Sequence, residues 1–579
     1  MPIHRHTRSF LALAMLGSGF MTGCTQKFYK GWADKQVFGI IGSKKQIVTG
    51  ADDETLLSVT PPPPVQLDKL MVKTEGSEFL GKRAFIEKGA RVLTLADALD
   101  FAVHRNRAYL TRKEVVYLQA LALTETRQQY GPIAEGGGSS QFTETQTDVG
   151  TNGVVKKSTI TKTKTGVNDF VRNSTLISKG DVGLRYLMKT GAILALDLTS
   201  DFTRTFTGNV KGLSDSKAAV TLAQPLLRGV GVLAAVEPLR QDERNVLYAI
   251  RDFTQYRKNF AVDVTRQYMR TLQAREQARN RYTAYLAGQR NILRDRALAE
   301  ANMRSQSQLM QLEQGTLSYE RTWLTAIRTY EDALDDLKVV LGLPVTERLI
   351  LDSRELTKLD VSDPRGTMDE MVDTALITRL DIYNVRDRLA DSGRRVKIAH
   401  QNTLPTVNAL MNYQISTPGE NEGLELNPRQ RRVQGGLDVD LNLNTLPERN
   451  DLRAAQINEQ ATRRGLDLAE EELRQTIRSD WRGLQLAQSQ YALAVQGLTL
   501  AQKRLEIEEA LMSEGQGTAR DFVESSDRLI TASDQAISTL IDLNLARLQL
   551  WSDMGVLFIQ KDGAWADVLK REKVQGDAP

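Results

Sequence analysis

Two stretches late in the chain alternate apolar and polar residues with a period of two. In "VNALMNYQIS", Val407, Ala409, Met411, Tyr413 and Ile415 alternate with Asn408, Asn412, Gln414 and Ser416, with Leu410 the exception. In "VQGGLDVDLNLN", Val433, Leu437, Val439, Leu441 and Leu443 take one face, and Gln434, Asp438, Asp440, Asn442 and Asn444 take the other. Successive side chains of a strand point to opposite faces, so each stretch predicts a strand with one apolar and one hydrophilic face. The turn-rich "TPGENEGLELNP" between them joins the two. Earlier, "GDVGLRYLMKTGAILALDLTSDFTRTF" carries Val182, Leu184 and Tyr186, then Ala192, Leu194, Leu196 and Leu198, with "KTG" as a turn. "KAAVTLAQPLLRG" closes that set, and the polar, Thr-rich "TETQTDVGTNGVVKKSTITKTKTG" ahead of it reads as a surface hairpin or loop.

A period of seven governs other parts. Ile477, Leu484, Tyr491, Leu498, Leu505 and Met512 form one series, with Ala487, Ala494 and Ala501 three residues further on. Phe522, Leu529, Ala536, Leu543 and Leu550 form another. Strict sevens predict a left-handed coiled coil, and alanines in one seam let the helices approach closely. These residues are core.

The patterns occur twice. "TLADALDFAVHRNRAYLTRKEVVYLQALALTETRQQYGP" from Thr94 aligns without a gap on "TMDEMVDTALITRLDIYNVRDRLADSGRRVKIAHQNTLP" from Thr367. Thr94, Asp97, Asp100, Ala102 and Pro132 fall opposite Thr367, Glu370, Asp373, Ala375 and Pro405, which predicts one long helix in each copy, stopped by its proline. "EQGTLSYE" from Glu313 and "SEGQGTARDF" from Ser513 both break a helical pattern at glycine, so Gly315 and Ser318 match Gly515 and Thr518. Each repeat is helix, strands, long helix, glycine turn and returning helix. At about 1.5 Å per residue, the downward helices Pro238–Glu313 and Pro447–Ser513 span roughly 115 and 100 Å. The split upward paths come to about 95 and 115 Å, which predicts one structure of fixed height with irregular segments partway along. The expected organisation is a leader over 1–23, an N-terminal tether over 24–92, a first repeat over 93–347, an equatorial connector over 348–366, a second repeat over 367–558 and a C-terminal equatorial tail over 559–579.

Composition sharpens this. Only 15 prolines and 6% aromatics favour long helices. Basic and acidic residues are interspersed, so no stripe for nucleic acid stands out. The sole cysteine, Cys24, follows Arg5, Arg8, the short apolar run "LALAMLGSGF" and the small pair Thr22–Gly23. That order marks a secretory leader. A small pair ending on cysteine resembles the bacterial lipoprotein signal, in which the cysteine is lipidated and becomes the new N-terminus, and Thr25 in place of aspartate implies sorting to the outer membrane. Beyond the leader no stretch reaches the roughly 18 apolar residues of a transmembrane helix, so strands must do any crossing. Two strands per repeat give four per chain; four cannot close, and the chain must share a barrel with copies of itself. Apolar faces would then meet lipid, and Asp438 and Asp440 would face a wet lumen.

Other chemistries find little support. "GVGVLA" from Gly229 scans as a dinucleotide fingerprint, but a helix of about 75 residues follows it instead of a βαβ unit. His104 and His400 lie in no metal-binding cluster, no enzyme site is visible, and no cofactor is expected. The alternative of another class is a lipid-anchored periplasmic coiled-coil scaffold without a pore, which leaves the alternating strands without a purpose.

With its duplicated plan, "ALITRLDIYNVRDRLA", "AQPLLRGVG", "VVLGLP" and the two glycine turns, the chain resembles the TolC-like outer-membrane factor family over roughly residues 90–560. The resemblance implies a mainly α fold with a membrane β part: a long coiled-coil helical barrel plus a 12-stranded β-barrel shared by a homotrimer. It implies a passive exit duct for efflux or type I secretion, in the outer membrane with a large periplasmic part. A periplasmic adaptor and an energised inner-membrane transporter would dock at the turns. Gly315, Leu317, Ser318, Gly515 and Thr518 match the adaptor-contacting turns, with Gly517 an added glycine. Asp521 and Glu524 match acids that ring the tunnel mouth.

Overall fold

A computed structural model describes residues 26–49, 67, 70–148, 170–206, 213–300, 305–358, 361–417, 426–441, 443–514 and 516–558. The leader, Cys24, Gly515 and the tail over 559–579 lie outside the described residues. The elements are α1 (Gln26–Thr49), a 3-10 helix (Glu78–Ile86), β1 (Arg91–Leu93), α2 (Leu95–Arg105), α3 (Arg107–Gln129), β2 (Pro132–Asp148), β3 (Phe170–Leu187), β4 (Ile193–Thr205) and β5 (Leu213–Pro225). Then come α4 (Val232–Ala235), α5 (Glu237–Glu300), α6 (Gln306–Val340), β6 (Leu349–Leu351), α7 (Glu355–Lys358), α8 (Met368–Thr378), α9 (Leu380–Gln401), β7 (Thr406–Ser416), β8 (Arg431–Asp440), α10 (Leu446–Ser513) and α11 (Ala519–Asp553).

The chain forms two compact units. One comprises Met1–Val37, Gln119–Val246 and Asp387–Arg464, and the other Phe38–Leu118, Leu247–Arg386 and Gly465–Pro579. The first unit holds an antiparallel sheet in the order β2-β3-β4-β5-β7-β8. It therefore has six strands, not the four expected. The additional pair is β2–β3: the Thr-rich stretch 143–166, read from the sequence as a surface hairpin or loop, meets β2 only over 143–148, and β3 carries the alternation of Val182, Leu184 and Tyr186. The alternation of β2 is faint because Ala134, Gly136 and Gly138, too small to register as hydrophobic, occupy one face of it.

The second unit is helical. The two start positions aligned in the sequence are both capping boxes: the Thr94 and Thr367 hydroxyls accept from the backbone N–H of Asp97 and Glu370, whose carboxylates reach back to the cap. The single long helix expected after each is instead broken at one extended residue, Asn106 or Arg379. The breaks are docking points. Asn106 Nδ2 donates to Val340 O at the end of α6 (2.8 Å), and Arg379 Nη1 donates to Asp553 O at the end of α11 (3.4 Å). In each case the returning helix ends on a glycine with positive φ, Gly342 (70°) or Gly555 (74°). A Cβ on Gly342 would lie 2.4 Å from Arg105 O and one on Gly555 2.9 Å from Thr378 Oγ1, so both positions need glycine twice over.

The coiled-coil seam forms as read. Ile477, Leu484, Ala487, Leu543 and Leu550 are buried together with Met371, Ala375 and Ile382 of α8 and α9. Part of the predicted tether is also structured. Buried Glu87 accepts hydrogen bonds from Arg275 Nε (2.9 Å) and Lys73 Nζ (3.1 Å), and β1 pairs in parallel with β6 of the connector. Burial alone would raise the Glu87 pKa, but the Arg275 guanidinium holds it below the usual carboxylate range.

Candidate functional site

Across an antiparallel ladder, paired residues share a face. Following the register from β2 to β8 therefore sorts every strand residue. One face collects Ala134, Gly136, Gly138 and Phe142, then Leu176, Val182, Leu184 and Tyr186, then Leu194, Leu196, Leu198 and Phe202. It continues through Ala218, Val220 and Leu222 to Ala409, Met411, Tyr413 and Ile415, and ends in Val433, Leu437 and Val439. This apolar face is uncovered: Val182 is 63% and Leu437 68% exposed. Along β4, from Leu194 to Phe202, it runs about 26 Å at the usual rise per strand residue. Short hydroxyls within it satisfy one another, with Ser140 Oγ 2.9 Å from Ser178 Oγ and Ser216 donating to Ser200 Oγ at 3.0 Å, while the charged Arg204, paired with Leu176, and Arg431, paired with Ile415, stand at its rim.

The opposite face carries Glu135, Lys179, Asp181, Arg185, Asp197, Asp201 and Lys217. Asp438, paired with Asn408, and Asp440, paired with Thr406, join it opposite Leu437 and Val439.

The ends of the helical hairpins require a correction. Gly315, Leu317 and Ser318 are not at a turn; they lie inside α6, about 15 Å along it from its start at Gln306. A glycine within a helix costs only about 1 kcal/mol against alanine, so it does not end one by itself. Gly315 serves packing: a Cβ there would sit 3.0 Å from Val523 Cγ2. The first turn falls between α5 and α6, where the Ser305 hydroxyl caps α6 by accepting from Gln308 N (3.3 Å). Ser305, not Ser318, is therefore the counterpart of Thr518, which caps α11 by accepting from Asp521 N at 3.2 Å. Both returning helices contain 35 residues, and the downward α5 and α10 contain 64 and 68. The second turn lies where the sequence places it. Gln516 and Gly517 N–H both donate to Leu511 O (2.9 Å each), and a Cβ on Gly517 would come within 2.7 Å of Met512 N. Ile292 and Leu312 pack with Met512, Ala519 and Phe522 at that turn, whereas α5 continues to Glu300, so the first hairpin reaches about 12 Å further.

Asp521 and Glu524 stand together in the first turns of α11 with different partners. Asp521 Oδ2 accepts from the Thr518 hydroxyl at 2.6 Å, next to a helix N-terminus that favours its charge. Glu524 lies 2.8 Å from Arg528 and 3.7 Å from Arg504, which offset its charge within the chain.

Three features escaped the sequence reading. Leu486, Leu493, Leu500 and Ile507 of α10 form a second series of sevens, each more than half exposed, and Met310, Leu317 and Leu324 of α6 form another. The two run level with each other. The contacts of α5 with α6 (Thr271 to Ala333), α5 with α11 (Arg270 to Asp542) and α11 with α10 (Glu524 to Arg504) bring residues near 310–324 of α6 to the height of 495–509 of α10. Period alone would have found both series; the stronger buried seam masked them. The third feature is an acid pair: burial and the neighbouring Asp553 carboxylate push Asp480 up to about 7, while Arg379 donates to Asp553 Oδ1 at 3.1 Å. Nearby, burial and Arg379 bring Lys258 down to about 8 where it donates to Gly555 O. Among the described residues, no group of His, Cys, Asp and Glu could hold a metal ion, and no helix is long and apolar enough to cross a membrane.

No family model and no curated protein matches the chain. Solved structures do match its shape. The CmeC outer membrane channel of Campylobacter jejuni is 13% identical over 89% of this chain and 98% of its own, with a TM-score of 0.56. The open state of the MtrE outer membrane channel of Neisseria gonorrhoeae is 13% identical over 80% and 89%, with a TM-score of 0.57. The outer membrane protein VceC of Vibrio cholerae is 11% identical over 80% and 96%, with a TM-score of 0.55. The chain thus shares the fold of these solved outer membrane proteins.

Proposed function

We propose that this chain is one third of a trimeric outer-membrane channel-tunnel, the passive exit duct of a tripartite efflux or type I secretion system. One observation carries the reading: a sheet whose strands each have at least ten residues and share an uncovered apolar face, backed by a charged one. Strands of about 9–11 residues suffice to span a bilayer, and an apolar band about 25 Å tall is what lipid requires. A pore-free scaffold has no use for such a sheet. The likeness to outer membrane channels supports the reading, as do the exposed series of sevens. These lie on faces of α6 and α10 that the chain leaves exposed, where a ring of copies would bring α6 of one against α10 of the next.

In this arrangement Asp438 and Asp440 face the lumen, and Asp521, more than the compensated Glu524, sets a cation-favouring potential at the tunnel mouth. Cys24 carries the lipid anchor. The adaptor meets the turns around Ser305 and around Gly515–Thr518, and the inner-membrane transporter supplies the energy. The reading is tested by the mass of the protein extracted from outer membranes with detergent. A detergent-dependent trimer is expected, and a monomer freed by cutting the lipid tether alone would overturn it.

A further inference from the structure

The strand count changes what the barrel is. Resting on the trimeric duct proposed above, we infer that the barrel closes with eighteen strands, six from each copy, by antiparallel pairing of β2 of one copy with β8 of the next. The sheet leaves β2 and β8 as its two edges, and every neighbouring pair is antiparallel. With six alternating strands, the edge strands run in opposite directions. Head-to-tail copies therefore continue the alternation without a parallel joint, and the total is even. Unpaired edge N–H and C=O groups in hydrocarbon cost several kcal/mol each, so the edges must find each other.

The extra hairpin belongs to the wall. Its apolar row, Ala134, Gly136, Gly138 and Phe142 beside Leu176, Val182 and Leu184, is in register with Leu194, Leu196 and Leu198 of β4. Folded into the lumen as a plug, the hairpin would turn Val182 and Phe142 to water and give up the ladder between β3 and β4. On the charged face, Gly137 and Gly183 give their neighbours room. A Cβ on Gly137 would lie 2.9 Å from Asp181 Oδ1, and one on Gly183 3.0 Å from Asp197 Oδ1, so both carboxylates lean along the wall instead of across the opening. Barrel diameter grows roughly linearly with strand number, so eighteen strands make a mouth about one and a half times as wide as twelve, in the size class that leaves an aqueous channel. Bulky solutes or polypeptides can leave through a mouth of that width.

Disulfide trapping in the full-length protein, in outer membranes, decides the matter. Ser139→Cys on the charged face of β2 is combined in turn with Arg432→Cys, Gln434→Cys and Gly436→Cys on the same face of β8, which brackets the register. Thr199→Cys on β4 is combined with the same three. β2 and β8 stand at opposite edges of one sheet, so a link between them joins two copies. The expected result is a ladder of covalent dimers and trimers from one of the Ser139 combinations and none from the Thr199 series. Covalent trimers from the Thr199 series would show a twelve-strand barrel closed by β4, which overturns the inference and leaves the duct intact. Trimers of correct mass with no link in either series also overturn it. A protein that is monomeric before oxidation removes both the inference and the duct.

Discussion

Leu196→Arg is expected to abolish the assembled trimer in outer membranes, while Asp197→Asn, one residue away, leaves its yield unchanged. Leu196 sits in the middle of the apolar row of β4, paired with Leu184 on one side and Val220 on the other. A charged residue on the lipid face near the bilayer midplane costs about 2–4 kcal/mol. Three copies bring that to roughly 6–12 kcal/mol per barrel, as large as the whole stability of a typical domain. Asp197 points to the other face, where an amide is as well solvated as a carboxylate. Heat-modifiable trimer on gels of the membrane fraction is the readout. Wild-type levels of Leu196→Arg trimer would mean that the apolar face of the sheet does not meet lipid.

The second large effect is expected in the helices. Leu493→Glu combined with Leu500→Glu should convert the detergent-extracted assembly to monomers while the chain keeps its helical content. These residues are 66% and 68% exposed in the single chain, so the chain loses little of its own packing. Burying one leucine contributes about 1.5–3 kcal/mol, and two positions at three joints total on the order of 10 kcal/mol. The same charges at Ile477 and Leu484, 0% and 2% exposed, should instead unfold the hairpin, because those side chains form the internal seam. Light scattering separates the outcomes from circular dichroism. A double variant that remains a trimer would rule out this face of α10 as the joint between copies.

The contrast between those two leucine series shows what the sequence carries. Ile477 to Met512 was legible because a period of seven survives any tertiary context; Ile477, Leu484 and Met512 are buried, and Tyr491, Leu498 and Leu505 between them half-buried. Leu486 to Ile507 has the same period, but in the proposed ring its packing partner lies in another copy, which one chain's pattern does not specify. The hairpin β7–β8 was legible because Met411, Tyr413, Val433 and Leu437 are large; β2 was not, because Gly136 and Gly138 are small. The misplaced first turn has a similar cause. By local propensity Gly315 reads as a helix breaker, yet its role is close contact with Val523. The ends that do fix the register are the glycines Gly342 and Gly555, and counting back from each through 35 helical residues reaches the caps Ser305 and Thr518. The breaks at Asn106 and Arg379 are set by the carbonyls of Val340 and Asp553, distant in sequence, and so lay beyond local propensity.

The central claim, a water-filled duct through a bilayer, is tested most directly by adding the purified trimer to a planar lipid membrane and recording current at fixed voltage. Discrete, ohmic conductance steps are predicted, with cations favoured in a salt gradient and the preference reduced by Asp521→Asn. An intact trimer that binds the membrane and gives no steps at all would contradict the account.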